Sequence, residues 1–290
     1  MKLGLLVESE EGLDWERWRT TCSAAERLGF ESVWISDHLA SAWSPRRHGL
    51  EPWVALSVAV AETRRVRLGP LVSPSTFRQP AILARMAEAL DSLSHGRFVI
   101  GLGLGWNADE HAQFGIPFPP LGERIRQLVN TIQALGDVHS PLLIGGSGPR
   151  STLPIVARYA DEWNLTTASV DMYLERSHQL GEICAELDRD PHEIKRSVAA
   201  GFLIGRTREE LRSRSQRMKE LVPPLATFET DAVAAAAQAM GWVTGTPSDI
   251  IATLKPLSAA GVDLAILGHY DLDDVAALDL IAADVMPALA

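Results

Sequence analysis

One feature of this 290-residue chain constrains its fold more than any other: short apolar runs alternate with helix-length amphipathic segments from one end to the other. Leu3 to Val7 reads as a first buried strand. The segment after it carries Asp14 as N-cap, apolar residues at Trp15, Trp18, Cys22, Ala25 and Leu28, and Gly29 as the stop, which together specify a helix. Further strands are predicted over Ser32–Ile35, Val66–Val72, Phe98–Gly101, Leu142–Ile144, Trp163–Thr166, Val198–Ile204 and Val262–Leu267. Helices are expected between them over Pro52–Thr63, from Pro80, around Ile125–Leu135, and over Pro149–Tyr159, Asp171–Leu187 and Asp249–Ala259. A last helix is expected over Val275–Leu289, and residues 207–241 read as an extra helical insertion, one part highly charged and one Ala-rich.

Continuous apolar strands separated by helices indicate a parallel sheet covered on both faces. Eight such units favour a closed (β/α)₈ TIM barrel with insertions, in a single domain spanning residues 1–290. Composition agrees: 46% hydrophobic and 22% charged residues suit a globular core. The net charge of -10 argues against a broad nucleic-acid or anionic-membrane surface. No apolar stretch reaches the roughly 20 residues of a membrane helix, and the N-terminal apolar run is too short for a signal peptide, so a cytoplasmic protein is expected. Cys22 and Cys184 match no metal or redox spacing, and neither HExxH nor HxH occurs, so no metal site is expected.

Barrel chemistry sits just after the strands, at their C-terminal ends, and that rule yields a short list. It contains Ser36-Asp37-His38, the segment Leu71 to Arg78, the segment Gly101 to Asn107, Gly145 to Arg150, and Gly268-His269-Tyr270. Gly145, Gly146, Ser147 and Gly148 end a strand ahead of a helix, where backbone amides can approach a phosphate. The same run also reads as a tight βα turn that needs glycine only for its backbone angles. Gly101, Gly103 and Gly105 are not a dinucleotide fingerprint, because no helix is expected directly after them and the last spacing is wrong; they read as a bare strand end against which a flat ring can lie. His38 suits a general acid or base, or a loop-capping structural role. Asp37 suits either a cofactor hydrogen bond or a loop anchor. Asp109, Glu110 and His111 form a polar cluster, and the charges of 207–220 read as a solvated helix face.

These motifs, taken in order, resemble the luciferase-like monooxygenase family, and within it the branch that uses the deazaflavin coenzyme F420. The resemblance rests on Gly29 to His38, Glu51-Pro52-Trp53, Arg67 to Val72 and Phe77 to Ala81. It continues through Leu90 to Phe98, Gly101 to Trp106, Leu143 to Pro149, Ala157 to Asn164, Gly245-Thr246-Pro247 and Ala260 to Asp263. It implies a homodimeric barrel oxidoreductase that moves a hydride between coenzyme F420 and a small organic substrate. An FMN-dependent monooxygenase and a non-catalytic flavin-binding protein are the alternatives. The resemblance further implies His38 as the proton-handling residue with Asp37 beside the ring. It implies cofactor contacts from Asp37, Leu71, Val72, Gly103, Gly105, Asn107, Gly145, Gly146, Ser147 and Gly148, and a non-proline cis peptide at Leu71-Val72. Two departures stand out. The chain passes almost directly from Leu135 to Pro141, which predicts a substrate site that is more open, or rebuilt by residues 207–241. Trp106 stands where some relatives carry an acidic catalytic residue, so a sugar-phosphate dehydrogenase mechanism does not carry over.

Overall fold

The computed structural model describes residues 1–41 and 49–290. Ten parallel strands run in chain order: β1 (Lys2–Val7), β2 (Ser32–Ile35), β3 (Arg67–Pro70), β4 (Ser73–Pro74), β5 (Ile100–Gly103), β6 (Leu142–Gly145), β7 (Glu162–Thr166), β8 (Lys195–Ile204), β9 (Val243–Gly245) and β10 (Leu264–Gly268). Neighbours follow the order β3-β2-β1-β10-β8-β7-β6-β5-β4, with β9 paired to the far end of β8. Since β3 and β4 are two halves of one strand, and Leu68 bridges Phe98 in parallel, the ends of that path meet. The result is a closed eight-stranded α/β barrel.

Alternation along each strand divides the core into two layers. Leu3, Leu5 and Val7 of β1 face the helices and join a large outer core with Trp18, Leu56, Leu83 and Leu128. Inside the barrel a smaller cluster forms from Trp34, Val99, Leu143, Ala199, Leu264 and Ile266. The helix Trp15–Leu28 ends as its sequence dictates: Asp14 accepts from the Arg17 amide, and Gly29 closes it at φ 89°.

Several boundaries differ from the sequence expectation. The third strand is interrupted at Leu71-Val72, whose peptide bond is cis. The fourth strand lies two residues later than expected, at Ile100–Gly103, because its register with β6 pairs Ile100, Gly101 and Leu102 with Leu142, Leu143 and Ile144. A short helix, Ala108–Gln113, does follow the glycine series, because the Asn107 side chain caps it by accepting from the Glu110 amide. The helix expected from Pro149 begins only at Leu153, after turns in which the amides of Ser151 and Thr152 donate to the Gly148 carbonyl. The last helix breaks into Val275–Asp284 and Met286–Leu289, where Pro287 lacks an amide. The strand β9 carried too few apolar residues to register as one. Residues 207–241 are helical at Arg208–Leu221 and Val233–Ala239, joined by single 3₁₀ turns, and these elements pack around a core of their own built on Met218, Val222, Leu225, Val233 and Trp242.

Candidate active site

At the C-terminal ends of the strands lies a cavity of about 390 Å³, lined by residues that end nearly every strand. Leu71 and Val72 form one wall. The glycines expected to be bare are bare for a reason of space. A Cβ on Gly103 would lie 2.6 Å from Val72 Cγ2, and one on Gly145 would lie 3.0 Å from Val72 Cγ1. A Cβ on Gly101 would meet the Pro70 carbonyl oxygen, which is backbone and cannot swing aside. Val72 is therefore seated in a pocket of glycines, and its neighbours leave the strand ends open to a flat ligand.

His38 lines the same cavity beside Trp106, the two rings meeting edge-on at 5.6 Å. Its Nδ1 faces both oxygens of Glu110, at 3.2 and 3.0 Å. Glu110 is buried and also accepts from the Leu39 and Ala40 amides. Burial alone would pull the His38 pKa down. The Glu110 hydrogen bond and the charges of Glu10 and Glu110 outweigh it, with Glu8 adding to them only where it ionises, and push the imidazole up to about 9. Glu110 moves the other way, below the usual carboxylate range: burial opposes that shift, and the His38 hydrogen bond and charge and the two backbone amides produce it. His38 is thus held as an imidazolium at neutral pH.

Glu8, the residue after β1, also lines the cavity. Burial first, then the neighbouring Glu10, push its carboxyl up to about 8, so it carries a proton at neutral pH. Ser36 donates to Glu10 at 2.6 Å. Tyr270 completes this side of the cavity, its hydroxyl pushed up by burial and by the nearby carboxylates, with a hydrogen bond to Glu8.

The structure separates the residues singled out in the sequence into two groups. His38, Leu71, Val72, Gly103, Gly105, Gly145 and Gly146 line the cavity. Asp37 lies beneath it: only 1% exposed, it pairs with Arg78 at 2.5 and 3.1 Å, accepts from Trp53 Nε1 at 3.1 Å and is bonded by Ser73. Arg78 reaches on to Glu51 at 2.6 Å, so the Asp37 carboxylate anchors the β2 loop to the β4 end. Asn107 is occupied as the cap described above, and Ser147 and Gly148 lie on the turn beyond the lining residues. The Gly146 amide donates to the Asn164 carbonyl at 3.0 Å, and Trp163 Nε1 donates to the Gly146 carbonyl at 2.8 Å. The Gly145–Gly148 run is accordingly tied to β7 by its backbone, with Thr152 from the next turn also facing the cavity.

Glu8, Ser36, Thr152, Asn164 and Tyr270 were not proposed individually from the sequence. Glu8 follows the first strand directly, so the strand-end rule applied to β1 would have found it. Glu110 acts on His38 across 72 residues of chain, and no local spacing announces that. His269 is buried, stacked on Phe202 at 5.7 Å, and pushed by burial down to about 4; it lies outside the cavity lining. Among the described residues no group of His, Cys, Asp or Glu side chains is arranged to hold a metal ion, and no helix is long and apolar enough to cross a membrane.

The same fold recurs in solved structures. An F420-dependent secondary alcohol dehydrogenase, solved in complex with an F420-acetone adduct, superposes with a TM-score of 0.79 over 100% of this chain and 99% of its own, at 18% identity. Monooxygenase RslO1 from Streptomyces bottropensis superposes with a TM-score of 0.81 over 100% of both chains, at 19% identity. These likenesses show the fold. In sequence, an uncharacterized protein of Mycobacterium tuberculosis (strain ATCC 25618 / H37Rv) is 33% identical over 165 residues, 49% of this chain and 58% of that protein, so the match spans little more than half of that relative's length. The F420-dependent glucose-6-phosphate dehydrogenase of Amycolatopsis mediterranei (strain U-32) is 27% identical across 91% of this chain and 92% of its own. The family model described as luciferase-like monooxygenase matches residues 1–263, nearly the whole barrel, and the chain belongs to that family.

Proposed function

We propose that this chain is an oxidoreductase that holds the deazaflavin coenzyme F420 at its strand ends and passes a hydride between that coenzyme and a small organic substrate. The observation that carries the proposal is His38, its Nδ1 held 3.0 Å from the buried Glu110 in the wall of the cavity and its side chain exposed enough (22%) to meet a ligand. A hydride delivered to a carbonyl carbon leaves charge on oxygen, and a poised proton donor is the group that reaction needs.

The residues present fit the coenzyme. Val72 and the bare Gly103 and Gly145 offer a wall for a flat ring, and the cavity opens outward for a longer tail. When bound, the coenzyme supplies the redox chemistry, giving or receiving the hydride. The chain does the rest. With Nδ1 committed to Glu110, Nε2 of His38 is the nitrogen that hands a proton to the substrate oxygen, or takes it in the reverse direction. Glu8 lines the same cavity, close enough to His38 for their charges to interact, and can replenish that proton. The deep wall of strand ends orients the reactants and keeps water out. The relative that spans 91% of this chain is named for F420 dependence, which supports the deazaflavin over FMN. A homodimer belongs to the same reading and is checked by sedimentation.

Equilibrium titration of the purified protein with F420 and with FMN, followed by fluorescence, tests the coenzyme. Micromolar or tighter binding of F420, with FMN at least tenfold weaker, is the expected result. The reverse preference points to an FMN-dependent monooxygenase, and binding of neither refutes the proposal. Turnover that survives undiminished in His38→Gln refutes the role assigned to that residue.

A further inference from the structure

Beside the strand-end cavity lies a second lobe of about 550 Å³, which shares with it Thr166, Ala199, Ala200, Gly201 and Tyr270. Its outer wall is the end of the insertion, Gln238 to Trp242, and its far wall is the start of the helix Val170–Glu186. Trp242 stacks on Tyr270 with ring centroids 4.6 Å apart and planes within 11°. A Cβ on Gly201 would strike the Trp242 ring, so a glycine at that point of β8 is what lets the indole lie there.

Two properties define what the lobe accepts. Among the described residues that line it there is no Asp, Glu, Lys, Arg or His; the polar groups are threonine, serine, glutamine and tyrosine. Two methionines from opposite walls, Met172 and Met240, are 44% and 45% exposed although both face the lobe. Large apolar side chains left in water around a concavity gain when an apolar ligand covers them, and the thioether adapts to its shape. A phosphorylated or carboxylated substrate would meet no cationic side chain there, only hydroxyls and amides.

We infer that this lobe is the substrate site, and that the substrate is an uncharged organic molecule with an apolar body, such as an aliphatic ketone or secondary alcohol, rather than a sugar phosphate. The inference rests on the reading of the adjoining cavity as the coenzyme site. The shared residues place the reacting carbon of such a substrate at the junction of the two spaces, with its chain along Met172 and Met240. The insertion thereby supplies a substrate wall where the segment between Leu135 and Pro141 is short.

Calorimetric titration of the protein, with and without F420, tests this with 2-octanone and with glucose 6-phosphate as probes. The expected result is binding of 2-octanone at least tenfold tighter than glucose 6-phosphate. Met240→Glu and, separately, Met172→Glu should each weaken 2-octanone at least tenfold; both positions are solvent-exposed, so the fold tolerates the change. Equal or tighter binding of glucose 6-phosphate overturns the inference, as does 2-octanone affinity unchanged in both variants. If the ketone pattern appears in protein that fails to bind F420, the lobe stands and the coenzyme reading falls.

Discussion

Replacing Glu110 by glutamine should collapse the ionisation of His38. The substitution keeps the size of the side chain, and the glutamine oxygen can still accept from the Leu39 and Ala40 amides. It removes the charge and changes the bond to His38 Nδ1. In the intact protein the imidazole rises from its ordinary 6.5 to about 9, which corresponds to about 3 kcal/mol of preference for the charged ring. The Glu110 bond is the largest of the contributions that raise it, and burial works against them. With only Glu8 and Glu10 left to oppose burial, the pKa should fall by roughly 1–3 units, the range expected for losing a close opposite charge. Proton NMR of the ring Cε1–H, assigned by its disappearance in His38→Gln, reads this directly. In turnover, activity that depends on an imidazolium should decline as pH rises through about 9 in the parent, and at markedly lower pH in Glu110→Gln. A His38 pKa within a few tenths of the parent value in the variant refutes the clamp. An unshifted pH profile alongside a shifted pKa would show that His38 is not the proton donor.

Three further perturbations follow from the same geometry. Arg78→Ala leaves the buried Asp37 carboxylate without its cation and should cost about 3–5 kcal/mol in urea unfolding, while Asp37→Asn with Arg78→Ala together should recover part of it. Glu8 holds a proton when folded that the unfolded chain loses above its ordinary 4.5, so stability should fall as pH rises from about 4.5 to about 8; Glu8→Gln should flatten that slope and unfold at higher denaturant than the parent at pH 8. Gly103→Ala presses on a Val72 methyl rather than on backbone, so it should fold with Val72 displaced while weakening coenzyme binding at least tenfold. Gly101→Ala presses on the Pro70 backbone and should lower soluble yield outright; equal behaviour of the two variants would refute the assignment of Val72 to the ligand wall.

The barrel was legible because the same signal repeats eight times, so that a boundary error of two residues at β5 or at the turn before Leu153 does not change the topology. Local chemistry was legible too where it is short-range: Asp14 and Gly29 bracket their helix as written, and Pro80 opens the helix Pro80–Ser94. What escaped was set by contacts distant in sequence. Asp37 and His38 are adjacent in the chain, yet one is locked under Arg78 and the other faces Glu110, and only the packing of the Ala108–Gln113 helix decides which carboxylate serves the imidazole. Asn107 caps the short helix through its side-chain oxygen, a role that its polarity suits as well as the cofactor contact expected of it. Strand β9 pairs with β8 beyond the barrel, in a position that eight βα units do not require.

The interior of the barrel shows why binding and stability can be assigned to opposite ends of one sheet. At the N-terminal mouth Arg67 and Lys195 both pair with Glu162, and Lys2 meets Glu31 at 2.8 Å. Lys2, Arg67, Glu162 and Lys195 start four strands of the barrel and close that end with paired charge. Above them comes the apolar layer of Trp34, Val99, Leu143 and Ile266. Above that layer the strand ends carry glycine and alanine, and there Glu8 is pushed up to about 8 by burial while His38 is pushed up to about 9 against it. An acid that must hold its proton and an imidazole that must hold its charge both destabilise the site they occupy or depend on a partner to remain. A barrel can carry them because the apolar layer and the ion pairs beneath it do not depend on them, so loss of Glu110 or Glu8 should change chemistry at the mouth while the fold beneath it persists.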